Sequence, residues 1–207
     1  MGAGDEEIAA VRLETDRLIL RDVVPDDVDG FLAYMADPAY IRHLPLDPID
    51  RAEVQVLVDR VLLRQGPGPR ERYFLAAVER RSGRLIGEAI FKRVSEIEGE
   101  IGWAVARPDQ GHGLATEIGW ALIRFGFQEL QLHRLIARCE IDNHASERVM
   151  AKLGMEREGI LREHLFARGR WWTSAQWSIL NNGQSRESGN PGQATDAGNP
   201  GFPPPRK

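Results

Sequence analysis

Gln110-Gly111-His112-Gly113-Leu114-Ala115-Thr116-Glu117 is the stretch on which the fold turns. Upstream, residues 100–106 place Ile101, Trp103 and Val105 at alternate positions, the pattern of a strand with one buried face, and Pro108 ends it. Downstream, Leu114, Ile118, Ala121, Leu122 and Phe125 recur at helical spacing. A strand, a glycine loop and a helix start together make a physical recipe for holding a pyrophosphate. Glycines let backbone N–H groups approach the anion, and the helix end adds about half a positive charge. The same pattern also serves as a tight strand-to-helix turn. The loop lacks the Gly-Lys-Ser/Thr ending of a Walker motif, and it lacks the third glycine of a dinucleotide fingerprint.

Outward from the loop, residues 133–141 alternate Leu135, Ala137, Cys139 and Ile141, a half-buried strand. Asn143 then stands as an N-cap before a short helix through Val149, Met150 and Leu153, closed by Gly154. Two late strands, 158–167 and 171–180, meet at a turn on Gly169. Toward the N-terminus, residues 17–21 read as a strand. Pro25-Asp26-Asp27 opens a helix carrying Val28, Phe31, Leu32 and Met35. Asp50 and Glu53 form a capping box for a helix through Val54, Leu57, Val58, Val61 and Leu62, stopped by Gly66-Pro67-Gly68-Pro69. Strands 73–79 and 85–94 flank a hairpin turn at Arg81-Ser82-Gly83-Arg84.

The bounds agree with one α/β domain. The chain has 207 residues, 42% hydrophobic and 28% charged, with a net charge of −4, so it can fill a core and carries no basic footprint for nucleic acid. No apolar run approaches the ~20 residues that span a bilayer. The first ten residues, with Asp5, Glu6 and Glu7, read as no secretory signal, and a cytoplasmic protein is expected. One cysteine, Cys139, excludes an internal disulfide framework and a cysteine zinc cage. Residues 1–12 read as a flexible start, 13–180 as the domain, and 181–207, rich in Gly and Pro, as a disordered tail.

Four elements in order resemble the GNAT superfamily of N-acetyltransferases, in the branch that includes the ribosomal-protein N-acetyltransferases. They are Thr15-Asp16-Arg17-Leu18-Ile19-Leu20-Arg21; the loop, which fits Gln/Arg-x-x-Gly-x-Gly/Ala at Gln110, Gly113 and Ala115; Leu132-His133-Arg134-Leu135 with Asn143-x-x-Ser146 and Lys152-Leu153-Gly154-Met155; and Glu158-Gly159-Ile160-Leu161-Arg162-Glu163 with Gly169-Arg170. After Gly169-Arg170 the branch often has an aspartate where this chain has Thr173. The resemblance implies an α/β (α+β) acyltransferase fold: a mixed, mostly antiparallel sheet with a splayed cofactor cleft, flanked by helices. It implies acetyl-CoA as co-substrate and a primary amine as acceptor, either a protein N-terminus or a small molecule, in a monomer or homodimer. Neither nucleic acid nor membrane is expected as a partner. The cofactor contacts it implies are the strand edge Trp103, Ala104, Val105 and Ala106; the loop Gln110, Gly111, His112, Gly113, Leu114 and Ala115; and Asn143 with Ser146. A binding module of the same fold that holds acetyl-CoA without turnover is the alternative.

Acetyl transfer needs a base for the ammonium and a proton for the departing thiolate. Glu100, opposite in parity to Ile101 and Trp103, is the candidate base; with Glu96 and Glu98 it also reads as a solvated strand edge. Ser146, in the place of the branch's serine, is the candidate thiolate partner; it also reads as a first-turn cap. No metal site is expected, because His112 and His144 lack partners at ligand spacing. Asp142, His144 and Ser146 are too close in sequence to form a hydrolase triad. Cys139 reads as core, and Trp172 as core or a wall of the acceptor pocket.

Overall fold

The computed structural model describes residues 10–47, 49–65 and 70–182. The expected helix stop at residues 66–69 and most of the expected tail lie outside the described residues. Eight strands form one open sheet in the order β1-β2-β3-β4-β5-β6-β8-β7. They are β1 Arg12–Glu14, β2 Leu18–Asp22, β3 Arg72–Glu79, β4 Leu85–Arg93, β5 Glu98–Val105, β6 Arg134–Glu140, β7 Glu156–Ala167 and β8 Arg170–Leu180. Every neighbouring pair is antiparallel except β5–β6. The helices are α1 Val28–Met35, α2 Arg51–Arg64, α3 Leu114–Arg124 and α4 His144–Lys152. This is the mixed, mostly antiparallel sheet with flanking helices that the resemblance implies.

The two faces carry different helices because strand side chains alternate. On one face, Leu114, Ile118 and Leu122 of α3 and Met150 of α4 pack over Leu75, Ala89, Phe91, Ile101 and Leu135. On the other, Val28, Phe31 and Met35 of α1 and Val54 and Val58 of α2 cover Ala76 and Val78. Asp50 caps α2 as the sequence indicates: its carboxylate accepts from the Glu53 N–H and the Glu53 carboxylate accepts from the Asp50 N–H. The helices α3 and α4 cross closely at Gly119, where an added Cβ would stand 2.4 Å from Leu153 Cδ1.

Several local expectations are refined. Asp26 and Asp27 lie in a 3₁₀ turn, Pro25–Asp27, and the α-helix begins at Val28. A short strand, β1, precedes the expected start of the sheet. Phe125, the last residue of the expected α3 stripe, opens a π-helical turn, Phe125–Glu129, where the Leu130 N–H reaches the Phe125 carbonyl. The short apolar period of β1 and the single-turn π segment carry no distinctive pattern in sequence. Among the described residues no helix is long and apolar enough to cross a membrane.

Candidate functional site: a parted pair of parallel strands

β5 and β6 pair only at Glu98↔Arg134, Gly99↔Leu135 and Glu100↔Ile136. Beyond Glu100, β5 stays paired to β4 through Val105, while β6 stays paired to β8 through Glu140. The two strands therefore part, and residues 101–105 present a strand edge to the opening. Backbone groups alternate sides along an antiparallel strand. The Ala106 N–H donates to the Ile86 carbonyl, and the Ala104 carbonyl points at β4 so closely that a Cβ on Gly87 would sit 2.1 Å from it. Trp103 and Val105 thus turn their backbone groups toward the opening, whereas Ala104 and Ala106 turn theirs toward β4.

Both parallel strands lead to helix N-termini at this same end. After Val105, a 3₁₀ turn, Arg107–Asp109, leads into the glycine loop. Gly111 and Gly113 have φ of 82° and 79°, the left-handed region that only glycine enters without strain. Gly113 is the N-cap of α3. The Gln110 side chain donates to the Val105 carbonyl at 2.9 Å, which ties the loop to the strand edge. After β6, Asn143 caps α4: its side-chain oxygen accepts from the Ser146 N–H at 3.1 Å. Ser146 lies in the first turn of α4, so the loop residues and the Asn143–Ser146 pair flank one opening from two helix starts.

A network missed in the sequence reading holds the loop from behind. The Glu117 carboxylate accepts from the Thr15 hydroxyl, the Arg17 N–H and the Arg17 guanidinium, and a second arm of that guanidinium donates to the His112 carbonyl at 2.9 Å. Burial would raise the pKa of Glu117, but the bonds from Thr15 and Arg17 outweigh it and hold the group below the usual value. Both partners sit inside the two stretches quoted for the resemblance, so their joint occurrence was the available signal. Beside the loop is a surface cavity of about 480 Å³ of mixed charge, lined by Arg17, Arg80 and Arg81 together with Asp16, Glu79 and Asp109.

Glu100 stands on the face opposite Ile101, at the last rung before the strands part, with its side chain 27% exposed. The Arg138 guanidinium is 3.9 Å away. The acidic run around Glu100 is not a free field. Glu98 is paired to Arg134, which also forks onto Glu158, itself pulled to about 2 chiefly by that hydrogen bond. Cys139 packs partly against the α3–α4 core, and burial, helped by the Glu147 charge, pushes its thiol up to about 12. Trp172 is buried under the Arg170 guanidinium, 3.7 Å from the ring centroid. Thr173 carries no charge: its hydroxyl accepts from the Glu163 N–H across an irregular rung, where β7 carries extra residues between Leu161 and Leu165.

Residues 17–156 match the family model described as an acetyltransferase (GNAT) domain. An N-acetyltransferase of Bacillus subtilis is 30% identical over 171 residues, covering 82% of this chain and 97% of the relative. The [ribosomal protein uS5]-alanine N-acetyltransferase of Escherichia coli is 26% identical over 177 residues, covering 79% of this chain and 88% of that enzyme. A GNAT-family acetyltransferase from Bacillus anthracis superimposes with a TM-score of 0.74 at 27% identity, over 82% of this chain and 98% of that one. The parted parallel strands, the glycine loop at a helix start and the family match over two thirds of the sequence agree, and the chain belongs to the GNAT family of N-acetyltransferases.

Proposed function

We propose that the protein transfers the acetyl group of acetyl-CoA to a primary amine, with the donor lying in the opening between β5 and β6. The observation that carries this reading is the parting of those strands beyond Glu100, with a helix N-terminus beyond the end of each. Acetyl-CoA, when bound, supplies an activated acyl thioester. Backbone N–H groups of the loop from Gln110 through Gly111, His112, Gly113 and Leu114 to Ala115 would bind its pyrophosphate, as the left-handed glycines leave space for an anion. The edge of β5 at Trp103 and Val105 would pair with the amide-bearing arm and direct an N–H at the thioester oxygen, where negative charge develops. Ala104 and Ala106 support that edge by bonding toward β4.

Glu100 would take the proton from the incoming ammonium, directly or through a water, at the rung where the strands divide. The amine then attacks the thioester carbon, the carbon–sulfur bond breaks, the nitrogen gives up its second proton, and the departing thiolate takes up a proton while it accepts a hydrogen bond from the Ser146 hydroxyl. Asn143 would fix Ser146 through the cap already formed between them. An α-amine, with a pKa near 8, is deprotonated by a carboxylate at lower cost than a lysine side chain near 10.4. The reading therefore favours a protein N-terminus, as in the uS5-modifying relative, or a small amine of similar basicity. The test is an acceptor panel with acetyl-CoA: peptides with free and with blocked N-termini, each with an internal lysine, and a set of small amines. Thiol release with free N-termini or small amines is the expected result; release with blocked peptides alone would overturn the acceptor class.

A further inference from the structure

On the α1–α2 face, two buried carboxylates stand on opposite sides of the opening and play no part in the chemistry above. Glu88 of β4 is 4% exposed and accepts from the hydroxyls of Tyr34 and Tyr40, at 2.5 and 2.8 Å. Glu140, the last residue of β6, is 8% exposed and is bonded by His43 at 2.6 Å and by Arg170 at 2.6 Å. Tyr40 and His43 belong to the same short connection between α1 and α2, and they grip opposite flanks of β5. At the level of Glu88 and Glu140, β6 has already parted from β5, so the span from β4 to β6 exceeds two strand spacings of about 5 Å each, and the two side chains close it with the backbone of residues 40–43 between them. A third tie comes from the β7–β8 turn, where Arg168 donates to the Ile41 carbonyl at 3.0 Å.

What lies beneath is small. Ala104 is the register partner of Glu88 and shares its face, as does Gly102, where an added Cβ would meet only Ile90 at 3.8 Å. Burying a carboxylate is expensive unless its bonds are complete, and apolar residues of similar size would hold a loop with less penalty. A pair of such carboxylates holding one segment from two sides suits a device that must fix a position.

We propose that Glu88 and Glu140 are positioning residues of the transfer reaction: by holding Tyr40 and His43 they fix residues 40–43 as a rigid roof over Gly102 and Ala104, which restricts the enzyme to acceptors that enter amine-first on a slender chain. This rests on the transferase reading for its substrate statement, while the roof itself stands on the contacts alone.

The experiment has two arms. In the first, backbone deuterium exchange is followed in the full chain for wild type, Glu88→Ala, Glu140→Ala and the milder Tyr40→Phe. Exchange in residues 36–47 should accelerate by roughly tenfold or more, the loss of a hydrogen bond to a charged group, with β3 and β5 still protected; unchanged exchange there overturns the roof. In the second, the same variants and Glu88→Gln are assayed with linear and branched amines. The alanine variants should raise KM for the linear amine by about tenfold, admit branched amines that wild type rejects, and bind CoA within about twofold of wild type. Glu88→Gln keeps the reach to both tyrosines and should resemble wild type. A lowered Tm with unchanged KM and selectivity would assign the carboxylates to stability alone and sink the proposal. If wild type releases thiol with no amine, the transferase reading fails, and the exchange arm still decides the roof.

Discussion

The two sides of the β5–β6 opening are built from different material. The proposed donor side is backbone: a strand edge at Trp103 and Val105, two left-handed glycines and two helix starts, with side chains such as Gln110, Asn143 and Arg17 acting to tie the chain in place. The proposed acceptor side is side chain: Glu88, Glu100, Glu140, Tyr40, His43 and Arg170, drawn from five separate segments. A site made of backbone tolerates drift in sequence. A side-chain site is redrawn by single substitutions. On the proposed reading, cofactor use would be set by the fold, and acceptor choice by a few long-range contacts.

The contrast breaks most readily at Gly113. Gly113→Asp places a carboxylate where the anion would lie and should weaken CoA binding by roughly 10³-fold or more, with the fold retained because the left-handed strain falls on one residue and an added Cβ meets only Arg17 Nη2, at 3.7 Å. Calorimetry on a folded variant with undiminished CoA affinity would remove the loop from the cofactor site. On the acceptor side, Glu100→Gln should lower kcat by about 10²–10⁴-fold with CoA affinity near wild type; turnover at the wild-type rate would exclude Glu100 as base. The split between these two variants, one losing binding and the other rate, is the sharpest test of the two-sided picture.

Smaller effects refine it. Arg17→Ala removes the bond to the His112 carbonyl and the ion pair to Glu117, so CoA affinity should drop by about tenfold, or ~1.4 kcal/mol, with kcat little changed. An equal loss of kcat at saturating donor would show that Arg17 acts beyond the loop. The smallest effect is on acid stability. Glu158 titrates at about 2 in the fold, against about 4.3 when unfolded. A depressed carboxylate stabilises the fold above its unfolded value, and that contribution is lost as pH drops from about 4.3 toward 2. Melting curves should therefore show wild type losing its advantage over Glu158→Gln across that interval, modestly, since the pair with Arg134 is partly solvated. A difference that does not change with pH would show that Glu158 acts by packing rather than charge.

Legibility in the sequence follows the same division. The strand, loop and helix around Gly113 could be read because alternation, glycines and helical spacing are local signals, and the Asp50–Glu53 cap was readable for the same reason. The cap of α4 at Asn143 likewise needed four consecutive residues. Glu88 was not singled out, although a charge inside the otherwise apolar run from Leu85 to Phe91 marks a buried strand with an anomaly. Its partners Tyr34 and Tyr40 lie 54 and 48 residues away, and His43 lies 97 residues from Glu140. No periodicity encodes such distances. The acidic run 96–100 reads in sequence as a solvated strand edge, and its partners are again out of reach of local pattern: in the fold Glu98 and Glu100 face Arg134 and Arg138 from the next strand.

The half-buried Cys139 has a practical consequence for measuring this enzyme. With its thiol pushed up to about 12, only roughly one molecule in 10⁴ carries a thiolate at pH 8, and thiolate is the form that reacts with a disulfide dye. As the chain has no other cysteine, a colour assay for liberated CoA should run against a dark protein background, and burst-phase readings at high enzyme concentration become feasible. The same inertness means that a fluorescent label on the roof over β5 can be attached through an engineered surface thiol without first removing the native one.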